Sequence, residues 1–198
     1  MTRNRQRKDE TRKRMLSAAS RGFRAHGFAG VGVDGIAAAA GVTSGAFYAH
    51  FGSKDGAFGA ALDAGLDEVI AAIPKYRKEF GSGWVRAFAA YYLGRAHRDD
   101  LACGCAMTTL SPEVVRAGPE THAAYEAKMK RIAQLIADGL AGGSESARRA
   151  RAWAMLGTLI GGLTIARAVK SRKIAEDIAS SIRDAAVIAA GKARGISA

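Results

Sequence analysis

The segment GVTSGAFYAHFGSK, residues 41–54, decides the fold because it closes one helix and opens two more. Gly41 can supply the left-handed cap of the short helix before it, VDGIAAAAG. Thr43 can accept a backbone hydrogen bond as the N-cap of a helix that runs to about Phe51, and Ser53 can cap the helix after that. These closely spaced signals predict two short helices joined by a tight turn, followed directly by a third helix.

A basic amphipathic helix precedes this segment. From Asp9 to His26, apolar residues recur at steps of three and four, while arginine and lysine occupy the other faces. The apolar positions are Met15, Leu16, Ala19 and Phe23. Gly27 is expected to end this helix, and Asp34 lies near the positive end of the short helix that follows.

A basic helix and two short helices on a glycine-containing turn form a helix-turn-helix, whose second helix enters the major groove of duplex DNA. Phe47 and Phe51 lie one turn apart and are expected to pack inward, which leaves the polar side chains outside. The groups able to donate to phosphate oxygens are then Thr43, Tyr48, His50 and Lys54. The alternative is a helical hairpin in which Tyr48 and His50 only cover an edge of the core.

The landmarks Gly27-Phe28, Val33, Ile36, Gly41-Val42, Gly45, Phe47-Tyr48, Phe51 and Ser53-Lys54 stand in a fixed order and spacing. With them, residues 10–70 resemble the DNA-binding domain of the TetR family of transcriptional regulators. The resemblance implies that Thr43, Tyr48, His50 and Lys54 touch phosphates and that Ser44, Gly45 and Ala46 lie at the base edges. Family members commonly have Thr or Ser where this chain has Gly32, so one hydroxyl contact to phosphate is expected to be missing.

Composition favours an all-α fold and an anionic partner. Hydrophobic residues make up 48% of the chain with only three prolines, and the formal net charge is +12. We predict about nine helices: a small DNA-binding domain over residues 10–70, with its helix-turn-helix at 32–51, and a larger domain over 71–198. Charge alone also permits a basic module for RNA or a membrane surface, but that class does not explain the ordered spacings.

The second domain is predicted from helix patterns and from the resemblance. The boundary should lie near Leu66 to Pro74, and the later helices are expected at Ser82 to Arg98, Cys103 to Ala117, Pro119 to Leu140, Ser144 to Lys170 and Arg172 to Lys192. The resemblance implies that this domain binds a small effector and dimerises. Candidates for an apolar effector pocket are Trp84, Phe88, Tyr92, Met107, Tyr125 and Trp153, although a filled core explains the same residues.

The last two helices carry apolar faces in which Gly157, Gly161 and Gly162 allow close approach. Paired with their symmetry mates they would form a four-helix dimer interface, and the alternative is that they complete the core of the monomer. A dimer would place two recognition helices about 34–36 Å apart, which suits a pseudo-palindromic operator. We therefore expect a homodimeric regulator of double-stranded DNA, most often a repressor in this family, released by a small, partly apolar effector.

Cys103 and Cys105 are too few and too close for a disulfide framework or a zinc site. Cys105 precedes a helix whose positive end would lower the pKa of its thiol, and some family members with a similar Gly-Cys pair respond to electrophiles or oxidants. A redox or electrophile sensor and an inert buried thiol both remain open. The other hypothesis is an enzyme that uses Cys105 with His97 or His122. No group that would orient the histidine is evident, so we expect the protein not to be an enzyme.

No cofactor, metal or catalytic site is expected, because the sequence holds no phosphate-binding loop and no cluster of metal ligands. No signal-peptide pattern follows the basic start, and the apolar run from Ala152 to Ala166 is too short to span a membrane. A cytoplasmic protein without membrane contact is expected. Residues 2–8, TRNRQRK, are expected to form a solvated tail, or alternatively an arm that enters the minor groove.

Overall fold

A computed structural model describes residues 3–194 as an all-α chain, as the composition predicts. Within this range there are ten α-helices, and the only β pairing is an isolated bridge between Leu140 and Ala193. The helices are α1 (Arg3–Gly30), α2 (Val33–Ala39), α3 (Ser44–Phe51), α4 (Lys54–Phe80), α5 (Trp84–Tyr92), α6 (Arg95–Asp99), α7 (Ala106–Val114), α8 (Pro119–Asp138), α9 (Glu145–Ala168) and α10 (Arg172–Ala190).

The basic N-terminus corrects one expectation. Residues 3–8 continue α1 instead of forming a solvated tail, while Thr2 lies outside the described residues. The predicted end of this helix is visible as a kink at Gly27, where φ is 72° and ψ is 174°. Glycine tolerates this left-handed conformation, and the chain then resumes a helical path to Gly30.

The helix α4 runs from Lys54 to Phe80 and continues through Pro74. A proline removes one backbone donor from a helix, but a long packed helix can tolerate that loss. Three predicted helix starts agree with the structure: α8 begins at Pro119, α9 directly follows its cap Ser144, and α10 begins at Arg172.

The tenth helix arises where one helix was predicted from Ser82 to Arg98. Residues Gly81–Gly83 form a 3₁₀ turn, and the segment then breaks at Gly94 into α5 and α6. A Cβ atom at Gly94 would lie 3.0 Å from the Tyr91 carbonyl oxygen, so the break fits glycine closely. The predicted helix at 103–117 is also shorter, because α7 begins only after Cys105.

The chain forms two compact units. The first contains residues Met1–Gly65 and Leu101–His122, and the second contains Leu66–Asp100 and Ala123–Ala198. Residues 101–122 therefore group with the N-terminal helices, whereas the sequence boundary at residue 70 assigned them to the second domain. The reason is physical: α7 packs against α1.

The core of the first unit explains how α3 is held. Apolar residues of α1, α2, α3 and α4 are almost completely buried: Met15, Ala19, Phe23, Ile36, Phe47, Ala57, Phe58 and Leu62. The rings of Phe23, Phe28 and Phe58 contact one another, with centroids 5.4–5.9 Å apart. Burial of these side chains stabilises the packing of the four helices against one another.

The second unit is organised by the packing of α9 against α10. A Cβ atom at Gly162 would lie 2.2 Å from Ile182 Cγ2, so Gly162 lets these two helices approach closely within one chain. Gly157 and Gly161 have no heavy atom within 4 Å of an added Cβ, so they face open space. Over the described range, every helix is too short or too polar to cross a lipid bilayer.

Candidate nucleic-acid interface

The turn between α2 and α3 forms as its sequence predicts. Gly41 adopts a φ of 65°, and its amide bonds to the Ala38 carbonyl while the Val42 amide bonds to the Ala37 carbonyl, each at 3.0 Å. Thr43 Oγ1 then accepts a hydrogen bond of 3.2 Å from the Ala46 amide, which caps α3. The turn fixes both the start of α3 and the direction in which it leaves α2.

Aromatic side chains hold α3 against the first unit. Phe47 is fully buried and Phe51 is half-buried, and their ring centroids are 5.2 Å apart. Tyr48 packs edge-on against Phe47 but leaves 52% of its surface exposed. The inward packing predicted for Phe47 and Phe51 leaves the polar and small residues of α3 on the outer side.

The seven predicted DNA contacts lie on α3, at its N-cap and at the first residue of α4. Thr43, Gly45 and Tyr48 are exposed, whereas Ser44, Ala46, His50 and Lys54 are half-buried. Small residues lie at the start of α3, and side chains that can donate hydrogen bonds surround them. The start of α3 therefore presents only small side chains, with hydrogen-bonding groups at its edges.

Lys54 is positioned by the start of α4. Ser53 Oγ accepts a 2.9 Å hydrogen bond from the Gly56 amide, so α4 begins at Lys54 as predicted. The Lys54 ammonium lies 4.5 Å from the centroid of the Phe28 ring, a cation–π contact that orients its side chain. A positive helix end and an ammonium group next to each other form a suitable site for a phosphate group.

Arg12 also belongs to this surface, although its position in the sequence indicates only the polar side of α1. Its Nη1 atom donates to the His50 carbonyl oxygen at 3.1 Å, and its Cζ atom lies 5.3 Å from the Phe51 ring centroid. The guanidinium thus satisfies the C-terminal end of α3 and brings positive charge to it. Helical periodicity put Arg12 on a polar face but gave no sign of this partner.

Asp34 is the second residue whose contact the sequence did not reveal. Its Oδ1 atom accepts a 2.5 Å hydrogen bond from Ser44 Oγ, which ties the first turn of α2 to the first residue of α3. From the sequence, Asp34 is expected only near the positive end of α2. Only the angle between the two helices could have shown that the side chains meet.

Gly32 is the N-cap of α2, with φ of −88°, ψ of 160° and no side-chain cap. The helix nevertheless begins at Val33, as expected for a tolerable N-cap residue. No heavy atom lies within 4 Å of a Cβ built at Gly32. The substitution of glycine for the common hydroxyl residue therefore leaves open space at this point.

The six residues predicted to line an effector pocket do not share one environment. Met107 belongs to the first unit and the other five to the second. Trp84, Phe88 and Tyr92 are buried on α5, and Trp84 Nε1 donates to the Gly139 carbonyl oxygen at 3.2 Å, as the filled-core alternative expects. Tyr125 is half-buried, and Trp153 is 41% exposed on α9, an outward position that does not suit a residue lining an interior cavity.

The cysteines lie in the first unit at the start of α7. Cys105 is its buried N-cap residue, and Cys103 is exposed. Between them, the Gly104 carbonyl oxygen accepts a 3.1 Å hydrogen bond from the nearly buried Arg24. The Cys-Gly-Cys loop is thus held by a guanidinium group from α1.

Comparison with known proteins agrees with this geometry. Residues 15–61 match the family model of bacterial regulatory proteins of the tetR family, while no curated protein matches the chain. A TetR-family transcriptional regulator from Agrobacterium tumefaciens is 18% identical, with 89% of this chain and 97% of that chain covered and a TM-score of 0.73. A TetR-family regulator from Cytophaga hutchinsonii is 16% identical, with 97% and 98% covered and a TM-score of 0.73.

A third similar structure is the reduced form of NemR from E. coli, at 19% identity, with 88% of this chain and 95% of that chain covered and a TM-score of 0.69. These likenesses concern the fold of nearly the whole chain. The fold and the α2–α3 geometry define a helix-turn-helix protein of the class that binds DNA and regulates transcription. Within that class, residues 15–61 match the tetR family of bacterial regulatory proteins, and nearly the whole chain shares the fold of solved TetR-family regulators.

Proposed function

We propose that this chain is a homodimeric, cytoplasmic repressor that leaves its operator when a small, partly apolar effector binds its second domain. The observation that carries the proposal is the arrangement of α3. Phe47 anchors the helix from below, while Thr43, Gly45 and Tyr48 remain exposed on the opposite side. A recognition helix needs both features, because it must be rigid and must approach the floor of the major groove.

The proposed division of labour at this surface follows side-chain chemistry. Thr43, Tyr48, His50 and Lys54 contact phosphates, and Arg12 adds positive charge near the C-terminal end of α3. Ser44, Gly45 and Ala46 face the base edges. Phosphate contacts fix the register of the protein on DNA, whereas the base-edge residues and the fit of the groove select the sequence.

The outward face of α10 supports a homodimer. Ile174 and Ile188 are 50% and 80% exposed. Between them on the same face lie the half-buried Ile178 and two small exposed residues, Ser181 and Ala185. Residues spaced by four and three positions along a helix form the face through which two helices pack against each other.

The outward side of α9 supports the same assembly. Trp153 and Ile165 are 41% and 53% exposed, and Gly157 and Gly161 face open space between them. Residues four apart lie on one side of a helix, so these positions form a continuous stripe with large apolar groups at its ends. The glycines would let a helix of a second copy approach this stripe closely.

An effector site in the second domain is proposed on the aromatic side of α5. Trp84, Phe88 and Tyr92 form a continuous apolar surface, and the rings of Phe88 and Tyr92 lie 6.0 Å apart. An apolar effector that takes the place of part of this packing would bind only the conformation in which these rings have moved, and a switch requires such a difference in affinity between two states. Because α4 runs unbroken from Lys54 to Phe80, a displacement of its C-terminal part would also move its first residues, which lie beside α3.

Cys105 remains a candidate sensor in this proposal. It lies at the N-cap of α7 with the exposed Cys103 two residues away, and a helix N-terminus favours the thiolate. Modification of a buried thiol requires local opening, so a structural role explains the same position. Release of bound DNA by an oxidant in the wild type, but not in Cys105→Ser, would separate the two.

The experiment that tests the proposed function uses fluorescence anisotropy with labelled duplex DNA from the region upstream of the gene itself. We expect tight binding to that duplex and binding at least about a thousandfold weaker to a scrambled duplex of equal composition. Equal affinity for both duplexes would contradict sequence-specific regulation. A reporter controlled by the same region should increase in activity when the gene is deleted, and a decrease would contradict the repressor role.

A further inference from the structure

Ser44 and Asp34 form a hydrogen-bonded pair at the start of the recognition helix. Ser44 is the first residue of α3, and its Oγ atom donates to Asp34 Oδ1 at 2.5 Å. The neighbouring hydroxyl, on Thr43, has a different role, because its oxygen accepts from the Ala46 amide to cap α3. Ser44 is thus the base-edge residue whose hydroxyl is directed by a carboxylate from another helix.

The pair has a definite hydrogen-bonding character. A serine hydroxyl carries a single hydrogen, and a carboxylate carries none. Once the Ser44 hydrogen is given to Asp34, the Ser44 oxygen can only accept, and so can the remaining lone pairs of the Asp34 carboxylate. Donation to a charged acceptor also polarises the hydroxyl, which makes its oxygen a stronger acceptor.

The two residues after Ser44 offer no competing side-chain hydrogen bond. Gly45 and Ala46 complete the first turn of α3, the part of a recognition helix whose residues contact base edges in the major groove. Within this turn, discrimination between bases by side-chain hydrogen bonds therefore depends on the Ser44–Asp34 pair. Its acceptors match bases that present an amino group in the major groove and oppose bases that present only acceptors there.

Resting on the proposed DNA-binding function, we propose that Asp34 determines base specificity through Ser44, so that each half-site carries a base with a major-groove amino donor at one position. Cytosine, with its N4 amino group, is the first choice. Adenine is second, because its N7 acceptor lies beside the N6 amino group and opposes a second acceptor from the protein. Guanine and thymine present acceptors at this position and are disfavoured.

The proposal differs from a purely structural role of the same hydrogen bond. If the pair only ties α2 to α3, its removal changes the stability of the protein and its affinity for all DNA sequences together. If the pair reads a base, its removal changes the preference at one position of the half-site. Base preference, measured position by position, is therefore the quantity that separates the two roles.

The test is selection from a random duplex library, followed by sequencing, with the full-length wild type and the variants Asp34→Ala, Ser44→Ala and Glu120→Ala. We expect the wild type to favour cytosine over guanine and thymine by about tenfold at one position per half-site. Asp34→Ala frees the Ser44 hydroxyl to donate, so guanine and thymine become acceptable there while other positions keep their preference. Ser44→Ala should abolish the discrimination at the same position.

Glu120→Ala is the matched control, because Glu120 is an exposed carboxylate in the first turn of α8, away from the proposed DNA-binding surface. It removes the same charge and should leave every base preference unchanged. A motif for Asp34→Ala and Ser44→Ala identical to that of the wild type would overturn the inference while leaving the proposed function intact. A library from which the wild type selects no motif would contradict the proposed function, and the inference with it.

Discussion

A substitution at Gly45 should affect close approach to DNA and stability of the free protein in opposite directions. A Cβ at this position would meet only Thr43 Oγ1, at an ordinary 3.8 Å. Gly45→Ala should therefore fold normally and gain up to about 1 kcal/mol from helix propensity. The added methyl group would occupy the space that α3 needs at the groove floor, so we expect about tenfold weaker operator binding.

Thermal denaturation and fluorescence anisotropy measure these two effects. Gly59→Ala is the control, because Gly59 lies inside α4 and an added Cβ has no heavy atom within 4 Å. It should stabilise the protein without changing DNA binding. Operator affinity for Gly45→Ala equal to that of the wild type would show that Gly45 does not lie against the groove.

At Gly32, in contrast to Gly45, a substitution is predicted to strengthen DNA binding. A serine here can accept a backbone hydrogen bond as the N-cap of α2 and still donate its own hydrogen to a phosphate oxygen. Gly32→Ser should raise the free energy of unfolding by a few tenths of a kcal/mol. It should also strengthen binding to specific and scrambled duplexes alike, because phosphates carry no sequence information.

Denaturant titration and anisotropy check this prediction, with Gly32→Ala as the control that lacks the hydroxyl. Gly32→Ala is expected to gain no affinity. If serine and alanine act alike on DNA binding, the N-cap of α2 does not lie near a phosphate. The departure of this chain from the common TetR pattern would then have no effect on its interface.

Much of the site was predictable at this scale because its signals are local. The cap residues Thr43, Ser53 and Gly41 act on backbone atoms a few residues away, so their types and spacing suffice. The partners of Asp34 and Arg12 are ten or more residues away and depend on the angle between helices. No local pattern contains that information.

At the scale of the element, the start of α4 depends on Gly56. A Cβ at this position would lie 2.2 Å from the Phe51 carbonyl oxygen, which is a backbone atom and cannot move aside alone. Gly56→Ala should therefore shift the start of α4 relative to α3 and destabilise the protein by about 2 kcal/mol. Lys54 and the cap made by Ser53 would move with it.

Urea denaturation measures the loss, and Gly59→Ala in the same helix is again the matched control. A decrease in the midpoint for Gly56→Ala but not for Gly59→Ala is the expected result. Equal stability of both variants would mean that the junction between α3 and α4 adjusts freely. That outcome would weaken the argument that this junction positions Lys54.

Helix boundaries show where propensity stops being informative. Pro74 is a strong local signal for a helix end, yet α4 continues through it to Phe80. Gly94 is a weak signal, yet it divides α5 from α6, where a side chain would meet the carbonyl oxygens of Ala90 and Tyr91. Neither outcome follows from the strength of the local signal, so the number of helices could be predicted only approximately.

At the scale of the whole molecule, the proposed homodimer makes a testable demand on α10. Ile188 is 80% exposed within one chain, so Ile188→Asp should leave the fold of the chain unchanged. Placed in an interface between copies, the same change buries a charge and should shift the protein towards the monomer by at least about tenfold in dissociation constant. Analytical ultracentrifugation measures this shift.

Val115→Asp is the matched control, because Val115 is 74% exposed and lies just after α7 in the other compact unit. It should leave the association state unchanged. A dimer of equal strength for Ile188→Asp and the wild type would place the interface elsewhere. A wild-type protein that is monomeric at all concentrations would contradict the homodimer itself.

The grouping of residues 101–122 with the N-terminal helices is a property of the whole chain that its sequence did not reveal. The sequence boundary near residue 70 followed the change in helix length and the end of the family resemblance. The packing of α7 against α1 joins segments about eighty residues apart, which no local composition reports. Local sequence therefore predicted the DNA-binding helices better than the way the chain divides.

The central claim is that the outer surface of α3 and the start of α4 bind duplex DNA through phosphate contacts that include Lys54. Its most direct test is the salt dependence of operator binding for the wild type, Lys54→Ala and the control Lys78→Ala, an exposed lysine of the second unit. Loss of one phosphate contact in each half of a dimer should reduce the slope of log K against log salt by about 1.8. We predict that reduction for Lys54→Ala and a wild-type slope for Lys78→Ala; equal slopes for all three proteins would contradict the account.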